Sequence, residues 1–62
     1  MTKTLINTAT NEKVHVTYTI DPQALVYRIL DVYEGGESWP EAKTQEHRIK
    51  LVDAIHYGYS AL

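Results

Sequence analysis

Alternation of apolar and polar residues is strongest between Val14 and Ile20, where the chain reads Val-His-Val-Thr-Tyr-Thr-Ile. Every second side chain would share one face of a strand, so the pattern predicts a half-buried β-strand. Residues 3–8 are rich in Thr and contain Leu5 and Ile6, and the polar stretch Ala-Thr-Asn-Glu-Lys that follows is typical of a hairpin connection. We therefore predict a β-hairpin. Because adjacent strand residues point to opposite faces, either Leu5 or Ile6 should be exposed or contact a partner.

The next segment, residues 21–34, has the signals of a helix. Asp21 is a favoured N-cap residue, and Pro22 fits the first helical position. Apolar side chains then recur over an arc of about 160° on a helical wheel. They are Leu25, Val26, Ile29, Leu30, Val32 and Tyr33. The pair Gly35-Gly36 would end this helix, because glycine suits the left-handed C′ position.

A second helix is predicted from the motif Ser38-Trp39-Pro40-Glu41, in which Ser caps the helix and Glu reaches back to the cap. Its apolar arc lies in its C-terminal half, and the helix should end between residues 57 and 61. The arc consists of Ile49, Leu51, Val52, Ile55 and Tyr59. The element order predicts one small α+β domain over residues 1–62, an N-terminal β-hairpin followed by two α-helices (ββαα) packed in two layers.

Size and composition restrict the function. The chain has 62 residues, of which 44% are apolar and 23% charged, so it should fold around a small core. It has no cysteine for redox chemistry or zinc binding and no apolar run long enough to cross a membrane. The first residues contain no secretory signal pattern, so the cytoplasm is the default expectation.

The charge balance argues against nucleic acid as a partner. Eight acidic and six basic residues give a net charge of −2, whereas a nucleic-acid binder presents a basic face. An alternative is a nucleic-acid-binding regulator in which oligomerisation gathers Lys3, Lys13 and Arg28 into one patch. Acidic residues cluster within an eleven-residue stretch that lacks Lys and Arg. These residues, Asp31, Glu34, Glu37 and Glu41, form either a solvated surface or a docking patch for a partner with a basic surface.

Catalytic and metal-binding constellations are not predicted. His47 and His56 are nine residues apart on the second predicted helix, which places them about 180° apart around its axis. His15 lies on the polar face of a strand, so we expect no metal and no cofactor. Ser38 is explained by its cap and Ser60 lies near the end of the chain, so no activated nucleophile is predicted. The protein should not be an enzyme, although a small enzyme subunit with a site between protomers is a second alternative.

Several side chains outside the predicted core are candidates for binding a partner. Arg48 falls within the apolar arc of the second helix, where its stem could cover the core edge or its guanidinium could contact another protein. Trp39 and Tyr57 point to the outer side of that helix and are aromatic types that suit half-buried positions. The predicted partner-binding residues are Asp31, Glu34, Glu37, Trp39, Glu41, Arg48 and Tyr57.

Self-association is predicted from the width of the first helix's apolar arc. A hairpin and one helix could cover only part of that arc, and a domain of this size often needs association for stability. The predicted oligomer interface comprises Val26, Leu30, Tyr33 and Tyr59. The motifs identify no family. We predict a non-enzymatic protein-binding or regulatory module, such as an inhibitor or adaptor of the kind that phages and other mobile elements encode, acting as a homo-oligomer.

Overall fold

The computed structural model describes residues 1–24 and 26–58, which form a four-stranded antiparallel sheet followed by two helices. The sheet has the order β1-β2-β3-β4. The elements are β1 (Thr2–Asn7), β2 (Glu12–Asp21), β3 (Val26–Glu34), β4 (Glu37–Ser38), α1 (Glu41–Glu46) and α2 (Arg48–Tyr57). The predicted fold of one hairpin and two helices is therefore wrong, because the segment assigned to the first helix is the third strand of the sheet.

The predicted N-terminal hairpin is present as the antiparallel pair of β1 and β2, with Leu5 opposite Val14. The connecting turn closes where the Asn7 carbonyl accepts hydrogen bonds from the backbone N–H groups of Thr10 and Asn11. Asn11 has a φ of 60°, a left-handed conformation that asparagine tolerates better than most residues. Leu5 and Ile6 point to opposite faces of the sheet, as expected for adjacent strand residues. Leu5 is fully buried, whereas Ile6 is 40% exposed.

The segment predicted as the first helix contains strand β3, which has a β-bulge at Leu30. Thr17 of β2 pairs with Asp31, but the next residue, Tyr18, pairs with Ile29, so Leu30 has no partner in the ladder. The bulge changes the spacing of the core-facing residues, which lie at positions 27, 29 and 32. Apolar residues at positions 26, 29, 30 and 33 fit helical spacing, but Val26, Leu30 and Tyr33 are exposed in the strand, so the helical pattern does not mark the buried face.

The residues that predicted the two ends of the first helix, Asp21 and the pair Gly35-Gly36, lie in turns. The Asp21 carboxylate accepts hydrogen bonds from the N–H groups of Gln23 at 2.9 Å and Ala24 at 3.3 Å, the pattern of an N-cap, but no helix follows. Gly35 and Gly36 have φ values of 62° and 87° and connect β3 to β4. A two-residue hairpin turn of type I′ requires positive φ at both positions, so the predicted helix end is a hairpin turn.

The predicted second helix is divided at His47 into α1 and α2. Ser38 lies in β4, and Pro40 occupies the N-cap position of α1 without a side-chain cap, so the predicted capping box is wrong. The end of α2 agrees with the sequence, because Gly58 adopts a left-handed φ of 75° immediately after Tyr57.

The core lies between the sheet and one face of α2. Leu51, Ala54 and Ile55 of the helix are buried at helical spacing. Leu51 and Ile55 belong to the predicted apolar arc, but Ile49, which was also assigned to it, is 73% exposed. The buried apolar residues are Leu5, Val14, Val16, Val32, Leu51, Ala54 and Ile55. The sheet face opposite to this core carries exposed residues of three strands. All the described helices therefore pack on one side of the sheet.

Candidate functional site

Two adjoining cavities, of about 240 and 300 Å³, form a groove between the edge of β3 and helix α1. Ile29, Thr44 and Gln45 line both cavities, so the two lie side by side. The first cavity is completed by Val26, Tyr27, Arg28 and Arg48, and the second by Leu30, Asp31, Trp39 and Glu41. We call this site the β3–α1 groove.

The groove exists because β4 is much shorter than β3. Strand β4 pairs only with Tyr33 and Glu34, so within the described residues the remainder of β3 has a strand neighbour on one side only. Helix α1 follows directly and contains no buried residue, so it stands beside the sheet and does not pack into the core. The space between them spans Val26 to Asp31, or about 17 Å of extended strand.

The edge of β3 is partly closed at both ends of the groove. The Arg48 guanidinium donates a hydrogen bond to the Tyr27 carbonyl at 3.4 Å. At the other end, the backbone N–H of Trp39 donates to the Val32 carbonyl at 2.7 Å. Between these contacts, the bulge at Leu30 interrupts the ladder, and its side chain is 56% exposed. The edge is thus bounded and irregular, as protected sheet edges commonly are.

Opposite charges occupy the two ends of the groove. Arg28 and Arg48 line the first cavity, whereas Asp31 and Glu41 line the second. Within residues 1–24 and 26–58, the ion pair found joins Lys43 to Glu34. Arg48 forms no ion pair with Asp31 or Glu34 there. The groove therefore combines an apolar centre with charged groups of opposite sign at its two ends, where the Arg48 guanidinium also contacts the Tyr27 carbonyl.

Trp39 is fixed at its end of the groove by a cluster around Glu34. The Glu34 carboxylate accepts hydrogen bonds from the Trp39 indole N–H at 3.1 Å and the Asn7 amide at 3.2 Å. The Lys43 ammonium lies 4.0 Å from Glu34 and 4.3 Å from the centre of the Trp39 ring. Because the Glu34 side chain is only 10% exposed and already has these partners, its carboxylate serves internal contacts.

The groove unites six of the residues that the sequence singled out for partner binding or oligomerisation. These are Val26, Leu30, Asp31, Trp39, Glu41 and Arg48. The remaining candidates are dispersed: Tyr33 lies on the open sheet face, Glu37 in β4, and Tyr57 at the end of α2. Tyr59 lies outside the described residues. The acidic stretch does not form one surface. Glu34 pairs with Val14 and faces the core side of the sheet, whereas Asp31 pairs with Thr17 and belongs to the open side, at the rim of the groove.

Sequence reasoning did not identify four residues of the groove: Tyr27, Ile29, Thr44 and Gln45. An interpretation of residues 26–34 as a strand would have placed Tyr27 and Ile29 on the same face. Thr44 and Gln45 carry no signal in the sequence, because polar side chains on a short helix are ordinary surface residues.

The basic residues predicted for nucleic-acid binding do not lie on one face, and the histidines considered as metal ligands lie in different places. Lys13 and Arg28 occupy strand positions on the open side of the sheet, and Arg28, on the edge strand, also lines the groove, but Lys3 belongs to the other face of β1. His47 contacts the Trp39 ring with the ring centres 5.5 Å apart, whereas His56 contacts Tyr27. Among the described residues, no group of three or more His, Cys, Asp or Glu could hold a metal ion.

The helices that the structure describes are too short and too polar to span a membrane. Comparison with protein-family models, with curated proteins and with solved structures finds no match to this chain.

Proposed function

We propose that the protein is a non-enzymatic protein-binding module, with the role of a small inhibitor or adaptor, that holds an extended segment of another protein in the β3–α1 groove. The observation that carries the proposal is the succession of two adjacent cavities along the edge of β3, with opposite charges at their ends. Because the bulge at Leu30, the Arg48 guanidinium and the Trp39 backbone N–H obstruct backbone pairing along this edge, the segment is held through side chains that enter the two cavities.

The chemistry of the groove defines the segment that fits it. A length of about 17 Å accommodates about five or six extended residues. A basic side chain of the ligand would face Asp31 and Glu41, and an acidic one would face Arg28 and Arg48. An apolar side chain between them would contact Ile29 and the exposed Leu30. The proposal keeps the predicted preference for a partner with a basic surface. It assigns the contact to the two carboxylates of Asp31 and Glu41 and not to the whole acidic stretch.

The two hydroxyls that line the groove, those of Thr44 and Tyr27, are engaged in contacts within the protein. Thr44 Oγ1 donates a hydrogen bond to the Pro40 carbonyl at 3.3 Å. The Tyr27 hydroxyl forms a hydrogen bond with His56 Nδ1 at 3.0 Å. The charged and amide side chains of the groove, two arginines, two carboxylates and a glutamine, are typical of recognition.

The module is also proposed to act as a homo-oligomer. Large apolar side chains such as Leu30 and Ile49 remain more than half exposed in the single chain. A domain with a core this small commonly gains stability by association.

Selection from a display library of random linear peptides tests the groove. The wild-type protein should enrich peptides with a basic residue, an apolar residue and an acidic residue in a fixed order. The variant Asp31→Lys/Glu41→Lys should replace the enriched basic residue by an acidic one and leave the opposite end of the consensus unchanged.

The matched control is Glu37→Lys/Asp53→Lys, which makes the same charge change at exposed positions outside the groove. It should select the wild-type consensus. Absence of any enriched consensus with the wild-type protein, or the same consensus from the groove variant, would overturn the proposal.

A further inference from the structure

Within residues 1–24 and 26–58, strand β1 has a strand neighbour on one side only, and its other edge is unpaired along its whole length. The Met1 ammonium donates to the Tyr18 carbonyl and the Tyr18 N–H donates to the Met1 carbonyl, both at 2.8 Å. Since the direction of these groups alternates along an antiparallel strand, the N–H and C=O groups of Thr2, Thr4 and Ile6 point away from β2. These groups have no partner among residues 1–24 and 26–58.

The two sides of the sheet differ in how their edges are protected. On the β3 side, the bulge at Leu30, the Arg48 guanidinium and the Trp39 N–H all obstruct strand pairing. Strand β1 contains no proline and no bulge in its pairing with β2, and its single charged side chain is Lys3. Natural proteins usually protect a sheet edge that must stay unpaired. The unprotected edge is therefore the one available for association.

We propose that a second copy of this chain pairs with β1 in antiparallel orientation, with the two-fold axis passing beside Thr4. Thr4 then faces Thr4 of the second copy, and Thr2 faces Ile6 of the second copy. Each of these three residues has one outward N–H and one outward C=O. The symmetric register consequently satisfies all of these groups through six backbone hydrogen bonds.

The side chains of β1 suit this register. Two threonines at the axis form a favourable cross-strand pair, and Ile6, which is 40% exposed, lies beside Thr2 of the second copy. Lys3 faces Leu5 of the second copy, so the two lysines do not lie directly opposite each other. The edge is thus complementary to itself in both backbone and side chains, which favours a second copy over an unrelated strand.

The inference rests on the proposed homo-oligomer and specifies its interface. Two sheets of four strands would join into one of eight, with the helices of both copies on the same side. The two β3–α1 grooves would lie near opposite ends of the joined sheet, on the outer sides of two β3 strands that are five strand spacings, or about 24 Å, apart. A dimeric ligand could then occupy both grooves at once and gain affinity by avidity.

The substitution Thr4→Pro tests the interface with little effect on the monomer. Proline removes the Thr4 N–H, which points away from β2, so the β1–β2 ladder keeps its hydrogen bonds. Loss of two bonds at the axis should raise the dimer dissociation constant by about 30-fold. The control Thr4→Val also removes the Thr4 hydroxyl that contacts His15, but it retains the N–H and should dimerise like the wild type.

Sedimentation equilibrium from micromolar to millimolar concentration gives the mass, and circular dichroism checks the fold. Thr2→Pro removes another outward N–H and serves as the second variant if Thr4→Pro unfolds. A wild-type chain that stays monomeric at millimolar concentration would overturn both this interface and the proposed homo-oligomer. If folded Thr4→Pro dimerises as strongly as Thr4→Val, the β1 interface is wrong but the homo-oligomer stands. Peptide selection by the groove is independent of both results.

Discussion

The carboxylate of Glu34 accepts the indole N–H of Trp39 at 3.1 Å, across the hairpin that connects β3 to β4. This bond joins the last residue of β3 to the residue that follows β4, and the Asn7 amide brings β1 to the same carboxylate. A residue that the sequence assigned to a docking patch therefore links three segments of the fold.

Replacement of Glu34 by Ala should destabilise the protein by about 1–3 kcal/mol, because the donors of Trp39 and Asn7 lose their acceptor in a largely buried site. The control Glu37→Ala removes an exposed carboxylate three residues away and should change stability by less than about 0.5 kcal/mol. Urea unfolding followed by the fluorescence of Trp39, the single tryptophan, measures both. Equal losses in the two variants would contradict the role assigned to Glu34.

Gly36 should be intolerant of alanine because its φ is 87°. The left-handed region costs an L-residue about 1–2 kcal/mol, and a Cβ at Gly36 meets nothing within 4 Å, so the cost is purely conformational. Gly36→Asn should recover part of this loss, because asparagine adopts such conformations more readily. Thermal unfolding of the two variants compares them. A Gly36→Ala protein as stable as the wild type would argue against the two-residue hairpin.

The N-terminal hairpin and the buried face of α2 could be predicted from the sequence, because each depends on a local period. Val14 and Val16 repeat every two residues, and Leu51 and Ile55 repeat at helical spacing, and each pair is buried. No distant contact is needed to recognise either pattern.

Strand β3 could not be identified in the same way because each of its local signals has two meanings. Asp21 makes the hydrogen bonds of an N-cap within a turn, and the Gly35-Gly36 pair fits a helix end as well as a type I′ turn. The bulge at Leu30 then removes the alternation that would have distinguished strand from helix. The β3–α1 groove depends on this strand, so the sequence supplied several of its residues but not their arrangement.

Leu51 and Ile49 were both assigned to the apolar arc, and the structure separates them. Leu51 is fully buried, so Leu51→Ala should cost about 2–5 kcal/mol, a large part of the total of about 3–9 kcal/mol expected for a chain of this length. Ile49 is 73% exposed, and Ile49→Ala should change stability by less than about 0.5 kcal/mol. Calorimetry on both variants decides the matter, and a large loss at Ile49 would contradict the observed orientation of α2.

Leu30 should contribute to ligand binding more than to stability. Leu30→Glu places a charge in the apolar centre of the groove and should weaken binding of the selected peptides at least tenfold, which is the loss of about 1.4 kcal/mol. The matched control is Ile49→Glu, at an exposed aliphatic position outside the groove. Isothermal titration calorimetry with a selected peptide gives both affinities. Equal affinity of the two variants would exclude Leu30 from the contact.

Deletion of Leu30 provides a test of the bulge itself. Because Leu30 is the extra residue in β3, its removal leaves Asp31 opposite Thr17 and Ile29 opposite Tyr18, so the register and the core-facing side chains are preserved. The edge of β3 becomes regular and loses one of its protecting features, and we expect it to pair with other copies. In the Thr4→Pro background, where β1 cannot pair well, the deletion should raise the average mass with concentration, whereas Leu30→Ala, which keeps the bulge, should not. Light scattering measures this difference, and an unfolded deletion variant would show that β3 does not have the observed register.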